Sequence, residues 1–331
     1  MKIDLHVHLV GNGSSGSGAW LRPRGIHAYL YQYMLHQLGL PAGSLKGDLD
    51  ELFLQKLLSD IKESSLDAAV ILAMDDIYDE QGKVQENQGV FYIPNDHVLK
   101  LAKQYPELIP AVSIHPNRIE ALEELEKCIE GGAALLKLLP NVHNVNCSDR
   151  KLTKFWNRMA EVGLPFLAHT GSEHTLPVMN KAWENPLSLQ LPLECGVTVI
   201  AAHSAAKNAP WDEDGLTTLF RMMERYPNLY GDTSAFNLPW RASAYRRILK
   251  SEFRERFMHG SDYPVPIQAI WPRVWGLIDR SQHREIANTG NSLERDYQIK
   301  KAIGFEEVHF TRAGRLLRRI NSSSSAPLTG Q

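Results

Sequence analysis

Short aliphatic and β-branched runs alternate along the chain with longer segments in which apolar residues recur every three or four positions. The first pattern is typical of buried strands and the second of amphipathic helices. Most of the runs begin about 30 residues apart, which is the length of one strand–helix unit. Eight repeated units predict an α/β fold, a (β/α)8 TIM barrel formed by one domain over residues 1–320. The runs are Ile3–Leu9, Ala68–Ala73, Leu108–Ile114, Ala133–Leu139, Leu164–His169, Val197–Ala202, Leu229–Thr233 and Phe257–Ser261.

One interval between predicted strands is too long for a single unit. The segment 10–67 follows the first predicted strand and opens with a Gly/Ser-rich stretch at 11–18. Loops that follow barrel strands surround the barrel mouth, so we predict that this insertion is a lid. Arg118–Glu130 and Lys151–Val162 have helical spacing and are expected in the outer ring. The terminal segment, 321–331, has little apolar content and is predicted to be disordered.

Composition excludes several classes of protein. Hydrophobic residues make up 43% of the chain and charged residues 22%, so the chain can bury a core. The 36 basic and 38 acidic residues give a net charge of −2, which disfavours nucleic-acid or anionic-membrane partners. No stretch approaches the roughly 20 apolar residues of a membrane span. The three cysteines form no CxxC pair, which favours a reducing, cytoplasmic location.

Two histidines lie near the end of the first predicted strand, as His6-Val7-His8. Side chains two positions apart share a face of a strand. Both imidazoles are therefore expected to point into the barrel, with Leu5, Val7 and Leu9 facing the helices. Such a pair alone is weak evidence, because two histidines satisfied by hydrogen bonds near a strand end are the favoured interpretation of an isolated pair.

Polar groups also follow or end four other predicted strands. Lys137 lies in the fourth, His169 ends the fifth, His203 follows the sixth and Asp262 follows the eighth. Alternation predicts that Leu167 and His169 share a face, and that Val199, Ala201 and His203 share another. The carboxyl ends of barrel strands converge at the mouth, where catalytic groups lie in this architecture. The combined pattern predicts a metal site.

Imidazoles and a carboxylate without a thiolate pair suit Zn²⁺, with Mn²⁺ as a second possibility, and favour a catalytic over a structural site. An ion at an open mouth can lower the pKa of a bound water from 15.7 to about 7. Asp262 is then placed to accept the proton. His203 is expected to stabilise charge on the substrate oxygen.

These motifs resemble the amidohydrolase superfamily: His6-x-His8, LLKLLP with Lys137, LAHTG with His169, AAHS with His203 and HGSDYP with Asp262. The ending HGSDYP is most similar to the branch of aminocarboxymuconate semialdehyde decarboxylase and related hydrolases. The resemblance implies one divalent metal on His6, His8, His169 and Asp262, with His203 near the water or substrate. It implies either a hydrolase of a small carboxylated or cyclic substrate, such as a lactone or amide, or a non-oxidative decarboxylase, and a possible homodimer.

Lys137 leaves two interpretations open. In binuclear members of the superfamily a lysine at this position is carboxylated and bridges two metals, which would make Lys137 a ligand. We favour an unmodified lysine that pairs with a carboxylate or holds a substrate anion.

Five further residues are candidates for binding a small-molecule substrate. Arg22 and Arg24 lie in an acid-free part of the insertion and could clamp a carboxylate. Asn141 follows the fourth predicted strand, His115 the third and Trp240 the seventh, all at loop positions near the mouth.

Three other functions are less well supported. Gly11–Gly16 matches GxGxxG, but no acidic residue follows about 20 positions later, as a dinucleotide-binding motif requires. A non-catalytic barrel is disfavoured because every expected ligand position is filled. A metal-dependent nuclease is disfavoured because the chain has no basic stripe interleaved with aromatics.

Overall fold

A computed structural model describes residues 1–86 and 88–317. Its main sheet has eight parallel strands in the order β1-β3-β5-β6-β7-β8-β9-β10. All eight predicted strands are confirmed, most of them one to three residues shorter than their sequence runs. The sheet strands are β1 (Ile3–His8), β3 (Ala68–Leu72), β5 (Leu108–Val112), β6 (Leu135–Leu138), β7 (Phe166–His169), β8 (Val199–Ala202), β9 (Leu229–Asp232) and β10 (Phe257–Met258).

The last strand segment closes the sheet onto the first strand. The amide of Leu5 donates to the carbonyl of His259 at 3.1 Å, and that of His8 to Tyr263 at 2.8 Å. In the other direction, the amide of Asp262 donates to His6 at 2.9 Å. The predicted (β/α)8 barrel is thereby confirmed, and its closure brings Asp262 beside the histidines of β1.

Helices surround the barrel, as the helical spacing predicts. Fourteen lie within the described residues: α1 (Ile26–Gln37), α2 (Leu49–Lys62), α3 (Asn95–Gln104), α4 (Ala121–Gly131), α5 (Pro140–His143), α6 (Thr153–Val162), α7 (Gln190–Glu194), α8 (Leu216–Arg225), α9 (Ala244–Lys250), α10 (Ile270–Val274), α11 (Arg280–Ala287), α12 (Ser292–Ile303), α13 (Glu307–Thr311) and α14 (Ala313–Leu316). Two of them, α4 and α6, correspond to the helices predicted at 118–130 and 151–162. None of the described helices is long and apolar enough to cross a membrane.

Apolar side chains fill the end of the barrel opposite the mouth. Ile3, Leu135, Leu167 and Met258 are fully buried in one cluster there. The helix α14 closes this end, because a Cβ at Gly314 would lie 3.4 Å from Ile3 Cδ1. This packed layer is the floor on which the polar groups of the mouth rest.

The alternation expected in β1 is interrupted by a bulge. Asp4 pairs with Ala69 and Val7 with Ile71, so β1 has one residue more than β3 over this stretch. A bulge of this kind reverses the facing of the residues that follow it. Leu5 keeps the facing of Ile3, so that both pack in the barrel interior, and the expectation that Leu5 faces the helices is wrong.

The insertion 10–67 contains β2 (Trp20–Leu21), α1 and α2. Strand β2 pairs antiparallel with β4 (Phe91–Tyr92), which lies in the loop after β3. On α1, Tyr31, Met34 and Leu35 are buried. The role of a moving lid stays a prediction, and the predicted disordered tail at 321–331 lies outside the described residues.

The Gly/Ser-rich loop of the insertion binds an internal carboxylate. Asp50 Oδ1 accepts the amides of Asn12 and Gly13 at 2.7 and 3.1 Å, while Oδ2 accepts the amide of Ser15 at 3.2 Å and its hydroxyl at 2.7 Å. These are the donors with which a dinucleotide-binding loop would hold phosphate. The loop therefore has a structural partner already, in agreement with our rejection of the GxGxxG match.

Candidate metal centre

Three side chains meet where β1 and β10 close the barrel. Nε2 of His6 lies 3.3 Å from Nε2 of His8, and Asp262 Oδ1 lies 3.2 and 3.3 Å from the two nitrogens. These atoms could all ligate one ion, since they lie within 4.8 Å of one another. The sequence prediction that His6, His8 and Asp262 converge corresponds to this arrangement.

Asp232, at the end of β9, fixes the orientation of His6. Its Oδ2 lies 2.8 Å from His6 Nδ1. Burial, together with the charge of Lys137, lowers the pKa of His6 to about 4, so the ring is neutral at neutral pH. The Nδ1–H then donates to the carboxylate, and Nε2 presents a lone pair to His8 and Asp262. A carboxylate behind a histidine in this way is a common support for a metal ligand.

His169 and His203 form a second part of the same cluster. His169 Nδ1 lies 3.2 Å from His203 Nε2. The other nitrogens are donors, because His169 Nε2 lies 3.1 Å from the carbonyl of Gly171 and His203 Nδ1 lies 3.2 Å from that of Ser234. Burial lowers the pKa of both rings well below the ordinary value, so both are neutral.

Two unprotonated nitrogens therefore face each other without a proton between them. The rings of His6 and His203 are also close, with centroids 5.0 Å apart. Lone pairs that converge in this way repel one another unless a cation lies among them. The donor chemistry thus fits a divalent ion, with nitrogen and carboxylate ligands and no thiolate.

The backbone after β8 brings His203 into the mouth. Ile200 and Ala202 face the barrel interior, whereas Val199 and Ala201 pack against the outer helices. The predicted parity for this strand is therefore wrong. His203 enters the mouth because its φ is 57°, in the left-handed region, which turns the chain after the strand ends.

Asp262 also has a left-handed backbone conformation, with a φ of 68°, where the chain turns after β10. The turn at His203 also needs a glycine on the neighbouring strand, because a Cβ at Gly231 would lie 2.8 Å from Ser204 Oγ. Strand alternation carries no information about such turns.

Lys137 is buried at the base of the cluster, with Nζ 3.0 Å from His6 Nε2. Burial lowers its pKa to about 8, and the charges of Asp262, Asp232 and Glu173 limit the shift. The lysine is thus beside the predicted ligands, as expected. At neutral pH it is largely protonated and donates to the lone pair of His6.

A cavity with an empty volume of about 510 Å³ adjoins the cluster. His8, His169, His203 and Asp262 form one side of it. The remainder is largely apolar and includes two residues of α1, so the insertion supplies part of the wall. The other lining residues are Val10, Tyr31, Met34, Phe91, Leu139, Glu173, Thr175, Leu176, Pro264 and Val265.

The five predicted substrate-binding residues, Arg22, Arg24, Asn141, His115 and Trp240, are not among the described residues that line this cavity. Arg22 is exposed and lies over the ring of Trp20, 4.6 Å from its centroid, and Arg24 is exposed as well. The antiparallel pair of β2 and β4 fixes this part of the insertion against the loop after β3.

The other three candidates are held by neighbouring side chains or backbone. Asn141 is buried, and its amide lies 3.4 Å from Glu184. His115 Nε2 donates to the carbonyl of His143 at 2.9 Å, which holds its ring away from the mouth. Trp240 packs edge to face on Trp275. These three residues follow barrel strands, but their side chains do not line the described cavity.

Four residues near the centre escape the sequence reasoning. Asp232 ends β9, so the rule applied to the other strands would have found it. Ser234 Oγ donates to Asp232 Oδ1 and lies 2.8 Å from His203 Nδ1. Glu173 and the buried Arg241 belong to loops after β7 and β9, and no local pattern distinguishes them from surface residues.

The fold and the cluster define a class, the (β/α)8 barrels with a histidine–aspartate centre at the carboxyl ends of their strands. The sequence profile described as amidohydrolase matches residues 3–303. The chain belongs to the amidohydrolase family, as the sequence motifs predict. A comparison with curated proteins gives no match.

Three solved structures are similar in fold. An uncharacterised TIM-barrel protein from Bordetella bronchiseptica is 20% identical, with a TM-score of 0.57 over 90% of this chain and 99% of that one. A 5-carboxyvanillate decarboxylase from Sphingomonas paucimobilis is 12% identical, with a TM-score of 0.55 over 96% and 98%. Metarhizium anisopliae IDCase in its apo form is 12% identical, with a TM-score of 0.52 over 96% and 97%.

Proposed function

We propose that the protein is a metal-dependent hydrolase that cleaves a small cyclic ester or amide, such as a lactone or lactam. The proposal rests on the arrangement of the donor atoms beside the cavity. Imidazole nitrogens and a carboxylate oxygen converge at one side of a cavity whose other walls are largely apolar. Such a site binds an uncharged organic body and presents its reacting bond to the cluster.

His6, His8, His169 and Asp262 would hold one divalent ion, zinc in the first place and manganese in the second. A bound ion of this kind supplies electrophilic assistance at the substrate oxygen and makes water a nucleophile at neutral pH. Lys137 is proposed to stay unmodified, with its ammonium group balancing the carboxylates of Asp232 and Asp262.

Asp262 is proposed to move the proton. Burial alone would raise its pKa, but the neighbouring His6 ring, the hydrogen bond from His8 and the charge of Lys137 lower it below its usual range. The ionised carboxylate accepts a proton from the attacking water as the carbon–oxygen bond forms. It returns the proton to the ring oxygen or nitrogen when the bond from that atom to the carbonyl carbon breaks.

His203 is proposed to act on the attacking water and on the charge that develops. With its proton on Nδ1, held by Ser234, the ring presents the lone pair of Nε2 to the cavity. It can accept a hydrogen bond from water and, once protonated, donate one to the substrate oxygen.

A decarboxylase with the same ligands is the second candidate. The similar structure from Sphingomonas paucimobilis is named as a 5-carboxyvanillate decarboxylase, but at 12% identity it supports the fold alone. The observation that favours this candidate therefore lies in this chain. Lys137 and Arg241 place two buried cations near Asp262 and His169, where they could offset a substrate carboxylate. In that reaction the carbon–carbon bond to the carboxylate would break and a proton would take its place.

The two activities are separated by one assay series. Enzyme loaded with zinc or manganese is given lactones and lactams, with acid release followed, and hydroxybenzoates, with carbon dioxide release followed. We expect the wild-type enzyme to release acid and no carbon dioxide. In His169→Ala we expect both the bound metal and the acid release to be lost. Carbon dioxide release without lactone or lactam cleavage would favour the second candidate, and full lactone activity in metal-free His169→Ala would exclude both.

A further inference from the structure

The charged groups that line the cavity are all acidic. Among its described lining residues, Asp262 and Glu173 are the charged side chains, and no lysine or arginine is present. The two nearby buried cations, Lys137 and Arg241, do not line the cavity. Lys137 Nζ lies against His6, and Arg241 Nη2 donates to the carbonyl of Ser172 at 3.1 Å, while the buried Nε of Arg241 has no hydrogen-bond partner among the described residues.

Glu173 is held rigidly beside the ligand cluster. Its Oε1 accepts the backbone amides of Thr175 and Leu176, the second at 3.1 Å. Its Oε2 lies 3.7 Å from His169 Nδ1, and the side chain is 11% exposed. One carboxylate oxygen is therefore anchored to the loop, while the other lies next to the position where the substrate would react.

The rest of the wall offers few partners for a charged group. Tyr31, Met34, Phe91 and Leu176 are buried, and Leu139 and Val265 complete this side. A substrate carboxylate placed here would lose its hydration and would face the anion of Glu173. An uncharged substrate loses no hydration of a charge and is not repelled by Glu173.

We propose that Glu173 restricts the enzyme to substrates without a negative charge next to the scissile bond, so that the substrate class is neutral apolar lactones, esters or amides. The proposal rests on the proposed hydrolase function and narrows it, because the sequence alone allowed carboxylated substrates. Glu173 acts in it as a specificity-determining residue.

A pair of lactones that differ in one group tests this. γ-Valerolactone carries a methyl group at the ring position where 5-oxotetrahydrofuran-2-carboxylate carries a carboxylate. For the metal-loaded enzyme we expect kcat/KM to be at least about tenfold higher for the methyl compound. In Glu173→Gln, which keeps the Oε1 acceptor, the ratio should fall by about tenfold. Glu184→Gln changes a glutamate of the same loop that does not line the cavity, and it should leave the ratio as in wild type.

The matching lactams give a readout that does not depend on turnover. Binding of 5-methylpyrrolidin-2-one and of pyroglutamate to zinc-loaded protein, measured by calorimetry, should show the same preference and the same loss of preference in Glu173→Gln. A wild-type preference for the carboxylates, or a ratio unchanged in Glu173→Gln, would overturn the inference. Absence of lactone cleavage with an intact binding preference would instead count against the hydrolase function and leave the role of Glu173 standing.

Discussion

In the candidate metal centre, hydrogen bonds determine which nitrogen of each histidine ring carries a proton. Asp232 accepts a hydrogen bond from Nδ1–H of His6, while the carbonyl oxygens of Gly171 and Ser234 accept one each from His169 and His203. Since burial keeps these rings neutral, their remaining nitrogens are free to ligate. The supporting residues are thus as important for the site as the ligands themselves.

Substitution of His203 tests whether this residue acts in catalysis or holds the metal. We expect His203→Ala to keep its zinc, because the predicted ligands remain, and to lose about 100-fold or more in kcat, because an electrostatic and water-orienting group is absent. Elemental analysis and initial rates on the same preparation check this. Loss of zinc in His203→Ala would make His203 a ligand instead.

The buried neutral His143 gives the stability of the fold a defined pH dependence. Burial lowers its pKa from 6.5 to about 4, against hydrogen bonds to Asp75 and Leu139 that raise it. The unfolded chain therefore binds a proton between pH 4 and 6.5 that the folded chain does not bind. The stabilisation is complete above pH 6.5 and is lost as the pH falls toward 4.

In His143→Gln this contribution is absent. The free energy of unfolding, measured by urea titration between pH 4 and 6.5, should rise less steeply with pH than in wild type, by up to about 1.4 kcal/mol per pH unit. The slopes are compared rather than the absolute stabilities, since the glutamine also changes the packing. Equal slopes would show that His143 is protonated in the folded protein.

At the residue scale, the position of polar residues at strand ends predicted which side chains converge, but it did not predict how the backbone brings each of them to the mouth. His6, His8, His169 and Asp262 could be found because polar groups at strand ends converge in a barrel. The facing of Leu5 and of His203 could not, because a bulge and a left-handed φ are set by pairing with distant strands. Arg22 and Trp240 do not line the described cavity, because loop conformation does not follow from spacing.

At the scale of elements, a buried polar network joins α12 to the turn that carries Asp262. Lys300 Nζ donates to the carbonyl of Gly260 at 2.7 Å and lies 2.5 Å from Asp296 Oδ2. On the other side of the turn, Asp4 Oδ1 accepts the amides of His6 and Ser261 at 3.0 and 2.9 Å. The network fixes β1 and the turn after β10 relative to each other, and with them two predicted ligands.

Removal of the ion pair should therefore weaken metal binding from a distance. The double variant Lys300→Met with Asp296→Leu leaves no lone charge in the core. We expect its affinity for zinc, measured by competition with a chelator, to fall by about tenfold to 100-fold, the usual effect of a group that supports ligands. Lys301→Met, on the exposed side of the same helix, is the matched control and should bind as wild type does. Unchanged affinity in the double variant would show that the ligands do not depend on α12.

Most of the elements were accessible from the sequence because their patterns are local. The eight strand runs and the helices α4 and α6 show the expected period of apolar residues. The antiparallel pair of β2 and β4 was not accessible, since each strand has two residues and their pairing joins two separate loops. The contribution of Tyr31 and Met34 to the cavity wall likewise depends on where α1 packs.

At the scale of the whole molecule, the repeated strand–helix unit and the order of the motifs led to the same family as the profile match over residues 3–303. We propose that loop residues such as Glu173 select the substrate, and the identity of such residues does not follow from the fold. A cytoplasmic location, the absence of nucleic-acid partners and a possible homodimer stay predictions.

The metal content of the chain is the most direct test of the proposed single-metal site. Protein purified without added metal, and again after incubation with zinc or manganese and desalting, is analysed for metal per chain in wild type, His6→Ala and Lys137→Ala. We predict about one divalent ion per chain in wild type and in Lys137→Ala, and none in His6→Ala. Two ions that both depend on Lys137 would contradict the single-metal centre, and wild-type protein without metal under both conditions would contradict the proposed function itself.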